Sequence, residues 1–187
     1  MRCAGWSKSP SATDIADVRL IPIADLLNGT NRPSLTRQIA SYVLDRDVRD
    51  RVRDRVLHAL GPDTRVVVGH SLGSVAAYEA LCALQHQVSV FITLGSPLGF
   101  RRAIFDRLTS HDWPGELGRW VNVADRKDPV AMRRRLRPLF GDGTQVEDLV
   151  VNNGPQPHAM RSYLKADAVR SVISQAMARR HMEDQGE

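Results

Sequence analysis

Two cysteines in 187 residues, Cys3 and Cys82, are too few and too far apart for a disulfide framework, and neither has metal-ligand spacing. Aromatic residues make up only 5% of the chain. None interleaves with the one dense basic run, Arg133-Arg134-Arg135-Leu136-Arg137, so that run lacks the stacking groups of a nucleic-acid site. No apolar stretch approaches the roughly 18 residues of a membrane span. The amino-terminal stretch MRCAGWSKSP lacks the apolar run of a signal peptide. Repeats and low-complexity linkers are missing too. These absences set the expectation of a cytoplasmic protein with no metal, no nucleic acid and no membrane span.

What is present is an ordinary globular composition: 42% hydrophobic and 25% charged, with a formal net charge of +5 and a pI of about 9.8. The length suits one domain over residues 1–187. The positive charge is spread. Arginine alternates with aspartate through LDRDVRDRVRDRVLHAL (44–60), where Asp47 and Arg51 stand at i, i+4. This stretch and 133–137 read as solvated helix faces. An anionic substrate or surface is the weaker alternative. Cys82 falls in an apolar helix pattern and reads as core.

Residues 17–27, DVRLIPIADLL, read as a strand entering a loop, although Pro22 disfavours a central strand. NGTNRPS (28–34) is turn chemistry. The period from 34 to 60 is helical, and Gly61-Pro62 stops it. Further strands are expected at 64–69, 88–97, 119–125 and 146–153, and helices at 74–84, 100–108 and 162–182. Strands alternating with helices predict the α/β class, an open and mostly parallel sheet with helices on both faces. Such sheets bind ligands at the carboxyl ends of their strands.

The residues just after the strands carry the chemistry. TRVVV is followed by Gly69-His70-Ser71-Leu72-Gly73. A sharp strand-to-helix turn exposes the hydroxyl of such a serine, and small flanking residues let strand and helix approach. Three matched positions arise by chance in roughly one chain of this length in fifteen, so the buried strand before and the small-residue helix after carry the weight. The bland alternative is a helix-capping serine between packing glycines. The Leu72 N–H, in the first turn of that helix, is placed to meet developing negative charge. A serine needs a base, and the base an orienting acid. After the strand 119–125 two acids compete: Asp125 ends the strand, while Asp128 lies where it can reach across to a histidine. Asp128 is preferred and Asp125 stays open. Of six histidines, His58, His86 and His181 read as surface residues, and His111 precedes the acid. His70 lines the site or packs beside the serine. His158, in NNGPQPHAMRSYL, alone fits the order serine, acid, histidine.

On VVVGHSLGSVAAYEAL, FITLGSPLG, WVNVADRKDPVA and NNGPQPHAMRSYL, which span 65–164, the chain resembles the α/β-hydrolase superfamily, closest to bacterial lipase- or esterase-like members. The resemblance implies Ser71 as nucleophile, His158 as base then acid, and Asp128, the aspartate before Pro-Val, as the orienting acid. It implies Leu72 N–H as one oxyanion donor, Gly69 and Gly73 as shapers of the elbow, and no cofactor. The implied activity is cleavage of a small ester through an acyl-serine. The alternatives are a thioesterase acting on a carrier-bound acyl chain, and a degenerate hydrolase fold used for binding. The family's second oxyanion segment, commonly marked by His-Gly, is not matched, and Gly95 or Ser96 N–H is a conceivable replacement. The first strands of the family are also unmatched, including one that would lie between RLIPIA and RVVVG. The expectation is a truncated or reduced member, whose exposed sheet edge a partner chain or second copy could cover.

Overall fold

The computed structural model describes residues 18–22 and 35–183. Five strands form one parallel sheet: β1 Val18–Pro22, β2 Val66–His70, β3 Val88–Leu94, β4 Leu117–Asp125 and β5 Glu147–Val151. Their spatial order is their chain order, and each pairs in parallel with the next. The helices are α1 Leu35–Leu44, α2 Arg46–Ala59, α3 Leu72–Ala83, α4 Met160–Lys165 and α5 Asp167–Glu183.

Alternate side chains of the inner strands go to opposite faces. Val67, Phe91 and Trp120 pack with Val52 and Val56 of α2 and with Val75 and Tyr78 of α3. Val66, Val68, Ile92 and Val123 pack against Val169, Val172 and Ala176 of α5. Both faces are covered, which is why these strands read as unbroken apolar runs. The expected α/β class holds.

Several element boundaries differ from expectation. The helix of 34–60 is two helices, broken at Asp45 (φ −106°, ψ 105°), whose carboxylate caps α2 by accepting the Val48 N–H at 3.1 Å. The helix of 162–182 is likewise two, parted at Ala166. Residues 100–108 form turns and one 3-10 turn, Phe105–Arg107, after Arg102 takes φ 62°. The basic run 133–137 is no α-helix face: 133–136 are loop and Arg137 begins the 3-10 turn Arg137–Leu139, while Leu136 is buried and its N–H donates to Asp148 at 2.9 Å. Asp47 and Arg51 do not pair. Arg53 instead meets Asp50 and Asp54, while Arg49, on the apolar face with Val52 and Val56, turns inward to Glu79 of α3.

No strand separates RLIPIA from RVVVG. β1 pairs directly with β2, from Val18 opposite Val66 to Pro22 opposite His70. β1 has one neighbour among the described strands, a position where proline is tolerated. The turn expected at 28–34 and Cys3 lie outside the described residues. Among the described residues no helix is long and apolar enough to cross a membrane.

Candidate active site

β2 ends at His70 and α3 begins at Leu72, so Ser71 alone makes the turn, at φ 53° and ψ −134°. A side-chain-bearing residue in this conformation costs about 1–3 kcal/mol and persists only where its surroundings impose it. Here the Ser71 N–H donates to the Leu94 carbonyl at 3.0 Å, and the Ser71 carbonyl accepts from the Ser74 N–H at 3.0 Å and the Ser74 hydroxyl at 2.5 Å. The Ser96 hydroxyl lies 2.6 Å from Ser74 Oγ, which locks the first turn of α3 to the end of β3. A Cβ at Gly69 would stand 2.6 Å from Ser74 Cα, so only glycine permits this approach of strand and helix. Gly73 is buried in the same turn. Leu72 is fully buried, and its N–H, at the start of α3, has no acceptor within the helix.

Ser71 occupies the cap position of α3, but its hydroxyl makes no cap bond. It lies 3.0 Å from Nε2 of His158, which the loop between β5 and α4 carries in. His158 Nδ1 is 2.9 Å from both Asp128 oxygens. Asp128 is buried at the end of the loop after β4 and also accepts the Val130 N–H at 2.8 Å and the Tyr163 hydroxyl at 2.6 Å. Burial pushes its carboxyl up, but the bonds from His158, Tyr163 and Val130 outweigh it and hold the group below the usual carboxylate range.

Asp125, the rival acid, is spent on the backbone. It accepts the Lys127 N–H at 2.6 Å and the Asn153 N–H, tying the loop after β4 to the chain leaving β5. Gly95 is not a free oxyanion donor either, because its N–H donates to the Val123 carbonyl at 3.0 Å. Its role is space: at φ +55°, a Cβ there would stand 2.5 Å from Asp128 Oδ2. The Ser96 hydroxyl serves the elbow and accepts the Leu98 N–H at 3.2 Å. The chain leaves β1 alongside the elbow, since Pro22 is opposite His70, and residues 23–34 beyond it lie outside the described residues.

Two contacts were not visible in the sequence. His70 Nε2 lies 2.8 Å from the His158 carbonyl, and the two rings sit 4.8 Å apart. A carbonyl only accepts, so Nε2 of His70 carries the hydrogen. Burial lowers the pKa of His70, which keeps the ring neutral near pH 7. Tyr163 of α4 is fully buried; its hydroxyl accepts the Asp125 N–H at 2.9 Å while donating to Asp128. Its one sequence signal is its place five residues after His158, where an apolar helix face looks the same.

A serine hydroxyl on an imidazole that is itself held by a buried carboxylate can lose its proton as it attacks a carbonyl. The thiol of Cys82 is no rival to Ser71: burial pushes it up to about 11. No group of three or more His, Cys, Asp or Glu among the described residues could hold a metal ion. Compared with known proteins, residues 5–185 match the model of the alpha/beta hydrolase family. No curated protein and no solved structure matches.

Proposed function

Because the chain belongs to the alpha/beta hydrolase family, we propose that it is a serine hydrolase cleaving a carboxylic ester through an acyl-serine. Ser71 Oγ attacks the ester carbonyl and gives its proton to His158 Nε2. Asp128 holds the ring and stabilises the imidazolium. The oxyanion forms beside the Leu72 N–H at the start of α3. Collapse expels the alcohol, which takes the proton from His158. A water then loses a proton to His158 and attacks the acyl carbon; collapse releases the acid as the Ser71 oxygen takes the proton back from His158.

The observation that carries this reading is the unbroken hydrogen-bond chain from Ser71 through His158 to Asp128. Supporting it is the strained backbone at Ser71, which a mere packing turn does not need. The test is covalent labelling by a soluble fluorophosphonate. Ser71 is expected to take the label, and Ser71→Ala to lose it. Asp128→Asn is expected to cut turnover of a p-nitrophenyl ester by about 10⁴-fold and His158→Ala by about 10⁶-fold, without additivity. Folded protein that takes no label, or a larger loss from Asp125→Asn than from Asp128→Asn, would overturn the assignment.

A further inference from the structure

Two stretches of the loops at the carboxyl end of the sheet, where Ser71 sits, carry mostly positive charge. Residues 99–107 and 126–135 together hold eight basic side chains, all exposed, and their one exposed carboxylate is Asp106. Elsewhere four arginines are matched: Arg49 with Glu79, Arg53 with Asp50 and Asp54, Arg119 with Glu147, Arg170 with Asp167. None of the eight is in an ion pair among the described residues. Eight like charges against the single carboxylate of Asp106 repel one another, and an anionic partner relieves that repulsion.

The two stretches form one surface. A Cβ at Gly99 would stand 2.8 Å from Arg133 Cβ, and Arg134 Nη1 donates to the Arg126 carbonyl at 3.1 Å. The segment 131–136 is pinned from below. Ala131 and Leu136 are buried, and Asn122 Nδ2 donates to the Arg134 carbonyl at 2.8 Å. What this leaves projecting among the cations is Met132, 63% exposed, with Phe100, 37% exposed, on the facing loop. They are the only large apolar side chains exposed in these stretches.

Two separated apolar tips are too few for the core of an ordinary protein–protein interface. A fluid bilayer asks for no matching shape. It takes isolated apolar tips among cations, and an apolar anchor joined to a basic cluster supplies the two signals that bilayer binding needs. The same loops lead to the site. Ser96, bonded to Ser74 in the first turn of α3, is four residues before Phe100, and Met132 is four residues after Asp128. We propose that this rim docks on an anionic lipid bilayer and that the ester cleaved at Ser71 is presented from that surface. The second clause rests on the proposed hydrolysis; the docking itself does not.

The test is sedimentation with phosphatidylcholine vesicles that contain or lack phosphatidylglycerol, at low and high salt. Wild-type protein is expected to bind the phosphatidylglycerol vesicles at low salt, to leave them at high salt, and to ignore phosphatidylcholine alone. Each basic residue near such a surface contributes about fivefold in affinity, so Arg133→Glu/Arg134→Glu/Arg135→Glu is expected to weaken binding by about a hundredfold or more. Met132→Asp is expected to weaken it as well. Arg51→Glu/Arg65→Glu, on α2 and before β2, serves as the control and is expected to retain binding. Fluorophosphonate labelling of Ser71 reports that each variant is folded with its site intact. Three results would overturn the proposal: no binding at low salt, equal losses in rim and control variants, or capture of an acidic acyl carrier protein by a rim that ignores vesicles. Vesicle binding by a protein that takes no label at Ser71 supports the docking and refutes the hydrolase reading.

Discussion

His70 sits between Gly69 and Ser71, and its environment makes it a reporter of pH. Burial lowers its pKa, so the folded chain resists a proton that the unfolded chain accepts at the ordinary value of about 6.5. Between the folded value and about 6.5 the unfolded state therefore binds more protons. The stability tied to His70 is full above about pH 6.5, falls as pH drops through the window beneath it, and is lost below the folded value. Asp128, whose pKa is also lowered, contributes in a separate window: its share is present above about pH 4 and is lost below. Thermal melts are expected to show a declining Tm from pH 7 towards pH 5, at roughly the His window. His70→Gln, which keeps a donor for the His158 carbonyl, is expected to flatten that slope; an unchanged slope would assign it to another group. At this scale the sequence is informative where order along the chain carries the signal. Ser71, Asp128 and His158 each follow a strand, and the structure brings their side chains together. Tyr163 carries no such signal, because a tyrosine on an amphipathic helix reads as core until the end of β4 is seen beside it.

Elements are joined by groups that the hydrophobic pattern hides. Glu79 lies in the middle of α3 with 3% exposure. It accepts the Tyr42 hydroxyl of α1 at 2.5 Å and Arg49 Nε of α2 at 2.9 Å, so one carboxylate fastens three helices. Burial, then the charge of Glu79, push the Tyr42 phenol well above its usual range, so it remains a donor. Breaking one partner of a buried pair leaves the other without compensation, whereas replacing both with apolar groups removes the desolvation cost as well. In urea denaturation Glu79→Ala is expected to lose about 3 kcal/mol, and Arg49→Met/Glu79→Met distinctly less. Equal losses would show that Arg49 is content in water. Strand positions were legible because strands covered on both faces are continuous apolar runs. The helix breaks were not: neither Asp45 nor Ala166 is a glycine or proline, and the apolar period runs through both. The run 133–137 reads as a solvated helix face for a related reason, since a basic run with one leucine resembles one until Leu136 is found in the core.

For the whole molecule, alternation of strand and helix announces a parallel sheet covered on both faces, but not which strands are neighbours. Neighbour order is fixed by packing between distant segments, and so the direct pairing of β1 with β2 emerges only in three dimensions. That same order divides the machinery. His158 and Asp128 belong to the β4–β5 side, gathered by Tyr163 and by the bond from Asn153 to Asp125. Ser71 belongs to the β2–β3 side, gathered by Leu94, Ser74 and Ser96. At the site, the side-chain hydrogen bonds across this seam among the described residues are the Ser71–His158 contact and the bond from His70 to the His158 carbonyl, and the rings of His70 and Tyr163 also meet across it. A small displacement of the loop after β5 parts Ser71 from His158 while the sheet and both cores stay intact, and local openings of this kind need less free energy than global unfolding. On slow heating, labelling of Ser71 is expected to fade several degrees before the helical circular dichroism does, and to return on cooling; coincident loss of the two signals would count against the seam. The working lifetime of the protein in a warm environment is then a property of the few contacts His158 and Tyr163 make with Ser71 and His70, and hardening its core would leave that lifetime unchanged.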